Sequence, residues 1–196
     1  MALKSVDDTS DEDLVRLSAQ GDRGAFETLV ARHGDALFRY ANRTCGSERD
    51  GEDALQDGLL AAWRGSGTFR GEASARTWLF QVVIHACRRR QRRRAGAPER
   101  HDSLEAAEGV AAEQRGADER VADAQMAAVL ERALSGMDEE AREVLLLRDV
   151  EGLSGEEAAA ALGIGLAAMK SRLHRARLTL KERVEETLRR PEEKAQ

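Results

Sequence analysis

The feature of this sequence that most restricts its fold is an excess of good helix formers beside a shortage of β-branched residues. Alanine occurs 33 times and arginine 27 times among 196 residues, whereas isoleucine occurs twice. Alanine, leucine, arginine and glutamate favour helices, and the residues that fit a pleated sheet are scarce. The sequence therefore predicts an all-α protein and argues against a β-sandwich or barrel.

The sequence lacks the patterns of membrane proteins, disulfide-rich proteins and enzymes. No run of about 18 apolar residues could span a bilayer, and the acidic N-terminus has no apolar segment of the signal-peptide type. Cys45 and Cys87 are too few for a disulfide framework. The four histidines are dispersed, and no nucleophile–base set or phosphate loop is visible. We therefore expect a cytoplasmic protein without membrane insertion, catalytic residues, metal or cofactor.

Charge is distributed unevenly along the chain. The net charge is −5, but residues 88–94 read RRRQRRR, and residues 170–183 carry six basic residues against one acid. Between these segments, residues 99–143 contain thirteen acids and five arginines, a net charge of −8. Two basic segments separated by an acidic one indicate two contact surfaces for a polyanion. The alternative for each run is a solvated face or tail.

Helix signals divide the chain into two groups of helices. Residues 65–75 form a Gly-containing loop, and either Ser74 or Thr77 starts the next helix, which covers Trp78 to about Arg94. Residues 99–118 have the acidic, weakly periodic composition of a linker. Residues that commonly cap helices stand before five amphipathic segments: Ser10, Asp22, Ser47, Asp138 and Ser154. We predict a helical domain over 10–94, a flexible acidic linker over 95–119 and a helix-turn-helix domain over 120–188.

The C-terminal segment has the pattern of a helix-turn-helix. A short capped helix precedes Gly163-Ile164-Gly165, and a longer helix then runs to about Leu188. Helical spacing places Met169, Leu173, Ala176 and Leu180 on one inward side. The opposite side carries short and basic side chains suited to a DNA groove, namely Ala167, Lys170, Ser171, His174 and Arg175. An ordinary amphipathic hairpin would show the same pattern.

The N-terminal segment carries an acidic helix face. Asp53, Gln56 and Asp57 are spaced i, i+3 and i+4, so that their side chains share one side of a helix. Such a face can pair with a basic partner helix, or it can simply be solvated.

Three aromatic residues flank the Gly-containing loop near the arginine run. Trp63 precedes the loop, Phe69 lies in it, and Trp78 follows it. Unstacked bases bind to aromatic surfaces beside a basic channel for the backbone. This combination indicates single-strand binding, while the alternative is that the tryptophans belong to the core.

These residues resemble two conserved regions of bacterial sigma factors. Residues 53–57 (DALQD), 63–64 (WR), 69–71 (FRG) and 77–79 (TWL), with the arginine-rich helix end, are similar to the second region. Residues 145–177, with SGEE at 154–157 and MKSRLHRAR at 169–177, are similar to the fourth region. Since nothing substantial lies between, the chain resembles the extracytoplasmic-function (ECF) subgroup of the sigma-70 family.

The resemblance implies a function and a role for each motif. It implies a sigma factor that binds core RNA polymerase (β′ and β subunits), recognises promoter DNA at −35 and −10 elements, and is held inactive by an anti-sigma factor. Asp53, Gln56 and Asp57 would bind the β′ clamp helices. The −10 contacts would be Trp63, Phe69, Arg70, Trp78, His85, Arg88 and Arg89. The −35 contacts would be Ala167, Lys170, Ser171, Arg172, His174 and Arg175.

The sequence departs from the family pattern at two places. His85 stands where many members have Asn, and Ala167-Ala168 replaces a frequent Gly-Thr. These departures bear on which promoter is read. Two other functions remain open at this stage: a stand-alone helix-turn-helix regulator with a sensing or dimerising N-terminal half, and a helical adaptor without a DNA role.

Overall fold

The computed structural model describes residues 9–95 and 117–189, and within these ranges all regular structure is helical. A 3-10 turn (Ser66–Thr68) follows the third helix, and a π-helical turn (Leu146–Val150) continues the sixth. The predicted all-α fold is confirmed. The α-helices are α1 (Asp11–Ala19), α2 (Arg23–Cys45), α3 (Glu48–Gly65), α4 (Ala75–Ala95), α5 (Ala117–Ser135), α6 (Glu139–Leu145), α7 (Gly155–Leu162) and α8 (Leu166–Arg189).

The predicted caps begin the helices as expected. Asp22 accepts the backbone N–H of Ala25 at 3.1 Å, and Ser154 forms a reciprocal capping box with Glu157. Helix α4 begins at Ala75, directly after Ser74, so of the two predicted starts the structure has Ser74. Ser74 Oγ accepts the Thr77 N–H at 3.1 Å and thereby caps the helix.

Helices α1–α4 form the N-terminal half and enclose a core of aliphatic and aromatic side chains. Leu14, Leu29, Leu37 and Ile84 are fully buried. The Tyr40 and Phe80 rings meet edge to face, with their centroids 5.8 Å apart. These buried residues belong to α1, α2 and α4. The other sides of α4 face α3 and the C-terminal half of the chain.

Gly51 permits the close approach of α3 to α2. A Cβ at this position would lie 2.8 Å from the Cα of Asn42 and would also collide with the Asn42 side chain. We expect Gly51→Ala to lower the free energy of unfolding by about 1–3 kcal/mol, because the two backbones must separate. Gly34→Ala is the control, since its Cβ would meet only Val30 Cγ1 at 3.6 Å. Urea unfolding measures both, and equal stabilities would contradict the close-packing argument.

Asp11 connects α1 to α2. Its carboxylate accepts a hydrogen bond from Arg32 at 2.8 Å and lies 2.6 Å from His33 Nε2. Burial raises the pKa of Asp11, but the hydrogen bonds and charges of Arg32 and His33 outweigh it and hold the pKa below its ordinary 3.8.

A lowered carboxyl pKa stabilises the fold above the unfolded value, and this contribution disappears as the pH falls through the folded value. Asp11→Asn should therefore be less stable than the parent chain at pH 6. The difference in unfolding free energy should shrink as the pH falls through the folded-state pKa, which lies below 3.8. A difference that stayed constant over this range would contradict the ionic role of Asp11.

Helices α5–α8 form the C-terminal half. Met169, Leu173 and Ala176 are buried along α8, which confirms the predicted inward side. Gly163 ends α7 in the left-handed conformation (φ 68°), as the predicted turn requires. Met126 and Leu130 have helical spacing with Val129 and Ala133 but are 46% and 39% exposed. The reason is that α5 packs mainly on α8, and only its narrow side with Val129 and Ala133 is buried.

The two halves are in contact. Helix α4 packs against α7, and α2 touches α6, so that one cluster of buried residues includes members of both halves. Most of the predicted linker, from 96 to 116, lies outside the described residues. The domain boundaries remain predictions. No helix in the described ranges combines the length and apolarity needed to cross a membrane.

Candidate nucleic-acid and partner interfaces

The outer side of α8 presents the predicted recognition residues to solvent. Ala167, Lys170, Ser171, His174 and Arg175 are all exposed. Their neighbours on the inner side pack into the C-terminal half, so the helix is held firmly while its N-terminal two turns remain accessible. Small side chains at the start and cations one and two turns later form a surface that a DNA major groove can accept.

Arg172, also predicted to contact DNA, lies elsewhere on α8. Its guanidinium pairs with Glu140 of α6 at 2.7 Å, and only 20% of its side chain is exposed. Further along, Arg177 forms a two-bond pair with Asp149 at 2.6 and 2.9 Å, which raises the Arg177 pKa. The structure thus places Arg172 in the contact between α8 and α6, where it supports the recognition helix.

The predicted acidic face lies on α3 and is partly neutralised by α4. Asp53 pairs with Arg90, and Asp57 lies 3.6 Å from Arg89. Gln56 is exposed between them. Because exposed ion pairs contribute about 1 kcal/mol or less, a basic partner can replace these arginines at little cost. The three residues therefore share one accessible surface, as predicted.

An apolar groove of about 560 Å³ between α2 and α3 lies beside this acidic face. Trp63 stands in it against Phe26, with ring centroids 5.3 Å apart. The structure thus places Trp63 at the same groove as Gln56, together with Leu55 and Leu59. The helical spacing of Leu55, Leu59 and Trp63 predicts this shared side of α3.

Phe69 and Trp78 form the aromatic pair at the loop before α4. Their ring centroids are 5.5 Å apart, and both residues are half-buried. Arg70 is exposed beside them. The structure therefore unites two of the three predicted aromatic residues with a cation, which is the combination that binds unstacked bases.

His85 and Arg88 follow on α4. His85 is exposed, and its pKa is lowered by partial burial and by the charges of Arg88, Arg92 and Arg89. Lowering the pKa favours the neutral imidazole, which can both donate and accept a hydrogen bond.

Arg88 forms an ion pair within the protein. It donates to both carboxylate oxygens of Glu143 in α6, at 3.0 and 2.6 Å, and this pairing raises the Arg88 pKa. Glu143 is fully buried. Sequence reasoning missed Glu143, although an acid on the same helix side as Leu146 and Leu147 was a signal that it would be buried.

Within residues 9–95 and 117–189, the potential metal ligands do not gather into a site. Cys45 and Cys87 are buried free thiols. Among the residues that the structure describes, no group of three His, Cys, Asp or Glu side chains has an arrangement that could hold a metal ion.

Two family models match the chain. Residues 29–96 match the model described as sigma-70 region 2, and residues 127–180 match the model described as sigma-70, region 4. The first match contains the acidic face, the aromatic pair and all of α4. The second contains α7, the turn after it and α8 as far as residue 180.

Relatives and solved structures agree with these matches. The ECF RNA polymerase sigma factor SigM of Mycobacterium tuberculosis is 37% identical over 171 residues, which cover 87% of this chain and 83% of SigM. The RNA polymerase sigma factor CnrH of Cupriavidus metallidurans is 36% identical over 176 residues, covering 87% and 92%. The structure of CnrH in complex with the cytosolic domain of CnrY superposes with a TM-score of 0.65 at 31% identity, covering 90% of this chain and 98% of that one.

Proposed function

The chain belongs to the extracytoplasmic-function subgroup of the sigma-70 family of RNA polymerase sigma factors, and from this premise we propose which of its surfaces binds each partner in transcription initiation. Sigma factors regulate transcription and are not enzymes. We assign the acidic face of α3 to core polymerase, the aromatic pair and α4 to the −10 element, and the outer side of α8 to the −35 element.

The observation that carries the DNA assignment is the exposure of one side of α8 at its N-terminal end. Lys170, Ser171 and Arg175 face solvent there, while the other side of the same helix is buried. Lysine and arginine contact phosphates, and arginine also reads guanine edges. Arg172 supports this helix through Glu140 instead of joining the exposed set.

At the −10 element, the loop and α4 would hold one strand open. A base released from the duplex would stack at Phe69 and Trp78, and exposed cations such as Arg70 would follow the backbone. Such contacts offset an unpairing cost of a few kcal/mol. His85, favoured in its neutral form, would supply a donor and an acceptor to a base edge.

Core polymerase would bind at the acidic face. Asp53, Gln56 and Asp57 would contact the β′ clamp helices, and Trp63 would contribute apolar surface from the adjoining groove. The β subunit would contact the C-terminal half. Since these partners act on the chromosome, we place the protein in the cytoplasm.

An anti-sigma factor is the proposed regulator. CnrH was solved with the cytosolic domain of CnrY. A sigma factor RpoE from Bartonella quintana, at 23% identity and a TM-score of 0.64, has the same fold and was solved with the anti-sigma factor NepR. We infer an equivalent partner for this chain.

Run-off transcription with core polymerase across a promoter library tests the function. We expect specific transcripts that depend on the added chain and share two upstream elements. A chain that binds duplex operators but never core polymerase would instead be a stand-alone regulator. An adaptor without a DNA role would keep its activity when Lys170 and Arg175 are neutralised.

A further inference from the structure

Two cysteines lie side by side in the core of the N-terminal half. Cys45 is the last residue of α2, and Cys87 lies in the second half of α4. Both are free thiols in one core cluster, with exposed fractions of 3% and 0%. The Cys87 thiol is in side-chain hydrogen-bond contact with the Cys45 thiol. Since the chain has two cysteines, neither has another thiol in the chain with which to pair.

Contacts on both sides of the thiol pair fix its position. Before the pair, the rings of Tyr40 and Phe80 join α2 to α4, with their centroids 5.8 Å apart. Beyond it, Gln91 Nε2 donates to the backbone carbonyl of Thr44 at 2.9 Å. Thr44 directly precedes Cys45, and Gln91 lies one helical turn after Cys87. The packing of the two helices therefore keeps the two sulfur atoms facing each other.

The two thiols differ in their accessibility to a reagent. The contact with Cys45, burial and the charge of Glu143 raise the pKa of Cys87 well above its ordinary value. Because the thiolate is the reactive form, Cys87 is a poor first nucleophile. Cys45 instead lies at a helix end, where Gly46 follows in the left-handed conformation (φ 84°). Helix ends open locally at a small cost in free energy, so an oxidant reaches Cys45 first.

The segment between the two cysteines contains most of the surface that we assign to partners. Residues 45–87 include all of α3, the loop with the aromatic pair and the first half of α4. A bond between the ends of this segment would close it into one covalent loop. Such a cross-link stabilises a fold because it restricts the unfolded chain.

We propose that Cys45 and Cys87 are a peroxide-sensitive pair that forms a reversible disulfide between α2 and α4 and thereby stabilises the N-terminal half. In the first step, the Cys45 sulfur attacks hydrogen peroxide, the O–O bond breaks, and a sulfenic acid and one water form. The Cys87 sulfur then attacks the sulfenic sulfur, the S–O bond breaks, and a second water leaves with the Cys87 proton. The two thiols lose two electrons, which reduce the peroxide.

Peptide mapping of the full chain tests the bond directly. After treatment with hydrogen peroxide, remaining thiols are blocked with iodoacetamide in denaturant, and trypsin then cleaves at Arg43, Arg49, Arg76 and Arg88. The cysteines fall in separate peptides, 44–49 (TCGSER) and 77–88 (TWLFQVVIHACR). We expect these two peptides joined to each other in a monomeric chain that is lighter by two hydrogen atoms. Dithiothreitol should release both peptides with unmodified cysteines.

Thermal unfolding tests the stabilisation. The oxidised chain should melt at least about 5 °C above the same chain after reduction with dithiothreitol. Cys45→Ala and Cys87→Ala are matched controls, because each keeps one thiol and every methionine that peroxide could also oxidise. Neither variant should show the linked peptides or a rise in melting temperature on treatment. Each is compared with itself before and after peroxide, and the peptide map of the parent chain needs no variant.

Several results would overturn the proposal. Two unmodified thiols in the folded parent chain after prolonged peroxide treatment would show that the pair does not react. A sulfinic acid at Cys45 beside a free Cys87, or a disulfide between two chains, would show that the cysteines do not pair with each other. Linked peptides without a higher melting temperature would overturn the stabilisation. None of these results depends on polymerase or promoter binding, so the proposed function is judged separately by run-off transcription.

Discussion

Replacing Asp53, Gln56 and Asp57 together by alanine should reduce co-purification with core polymerase, and run-off transcription, by at least about 100-fold. The three side chains share one accessible surface of α3. Each buried polar contact in an interface contributes on the order of 1 kcal/mol or more to the binding free energy. The loss of three such contacts therefore exceeds the roughly 2.7 kcal/mol that correspond to a hundredfold change in affinity.

This substitution should leave the fold intact. The ion pairs that it removes within the chain are surface pairs, and Arg90 keeps Asp50 at 3.1 Å. Glu48→Ala is the matched control, because it removes an exposed acid from the first turn of the same helix. Undiminished polymerase binding by the triple variant, with thermal unfolding like that of the control, would refute the docking surface.

Replacing Lys170 and Arg175 by alanine should weaken binding to duplex DNA carrying the −35 element by at least about 30-fold. Each lost phosphate or guanine contact costs about 1–3 kcal/mol. If both contacts are to phosphate, the slope of log affinity against log salt should also fall by about two. Binding measured over a series of salt concentrations provides both values, and transcription from −35-dependent promoters should fall in parallel.

Lys181→Ala/Arg189→Ala is the control for this experiment. It removes two positive charges from the distal part of α8, where both side chains are about three-quarters exposed and interact with Glu185. We expect a change of less than about threefold. Equal losses in both double variants would mean that overall charge, and not the N-terminal turns of α8, governs DNA binding.

Much of the secondary structure could be predicted because its causes are local. Ser154 and Glu157 are three residues apart and cap each other whatever surrounds them. The spacing of Met169, Leu173 and Ala176 fixed the inner side of α8, and therefore its outer side as well. The exposure of the proposed recognition residues follows from the same periodicity, whereas Arg172 pairs with Glu140 of α6.

Local patterns could not specify partners that come from far along the chain. The neighbour of Trp63 in the α2–α3 groove is Phe26, which is 37 positions away in the sequence. Met126 and Leu130 lie on a helix, as their spacing predicts, yet they are 46% and 39% exposed. In each case the local pattern specified a helix face without specifying what that face would meet.

By itself, the sequence determined the helices, their caps and which side of each is apolar, because these depend on interactions within about four residues. Only the tertiary structure decided which charges are available to partners. Arg88 and Glu143 are 55 positions apart, and neither composition nor periodicity pairs them. The packing of α4 near α6 does so, because a carboxylate that the fold removes from water must be neutralised by whichever cation the fold brings within reach.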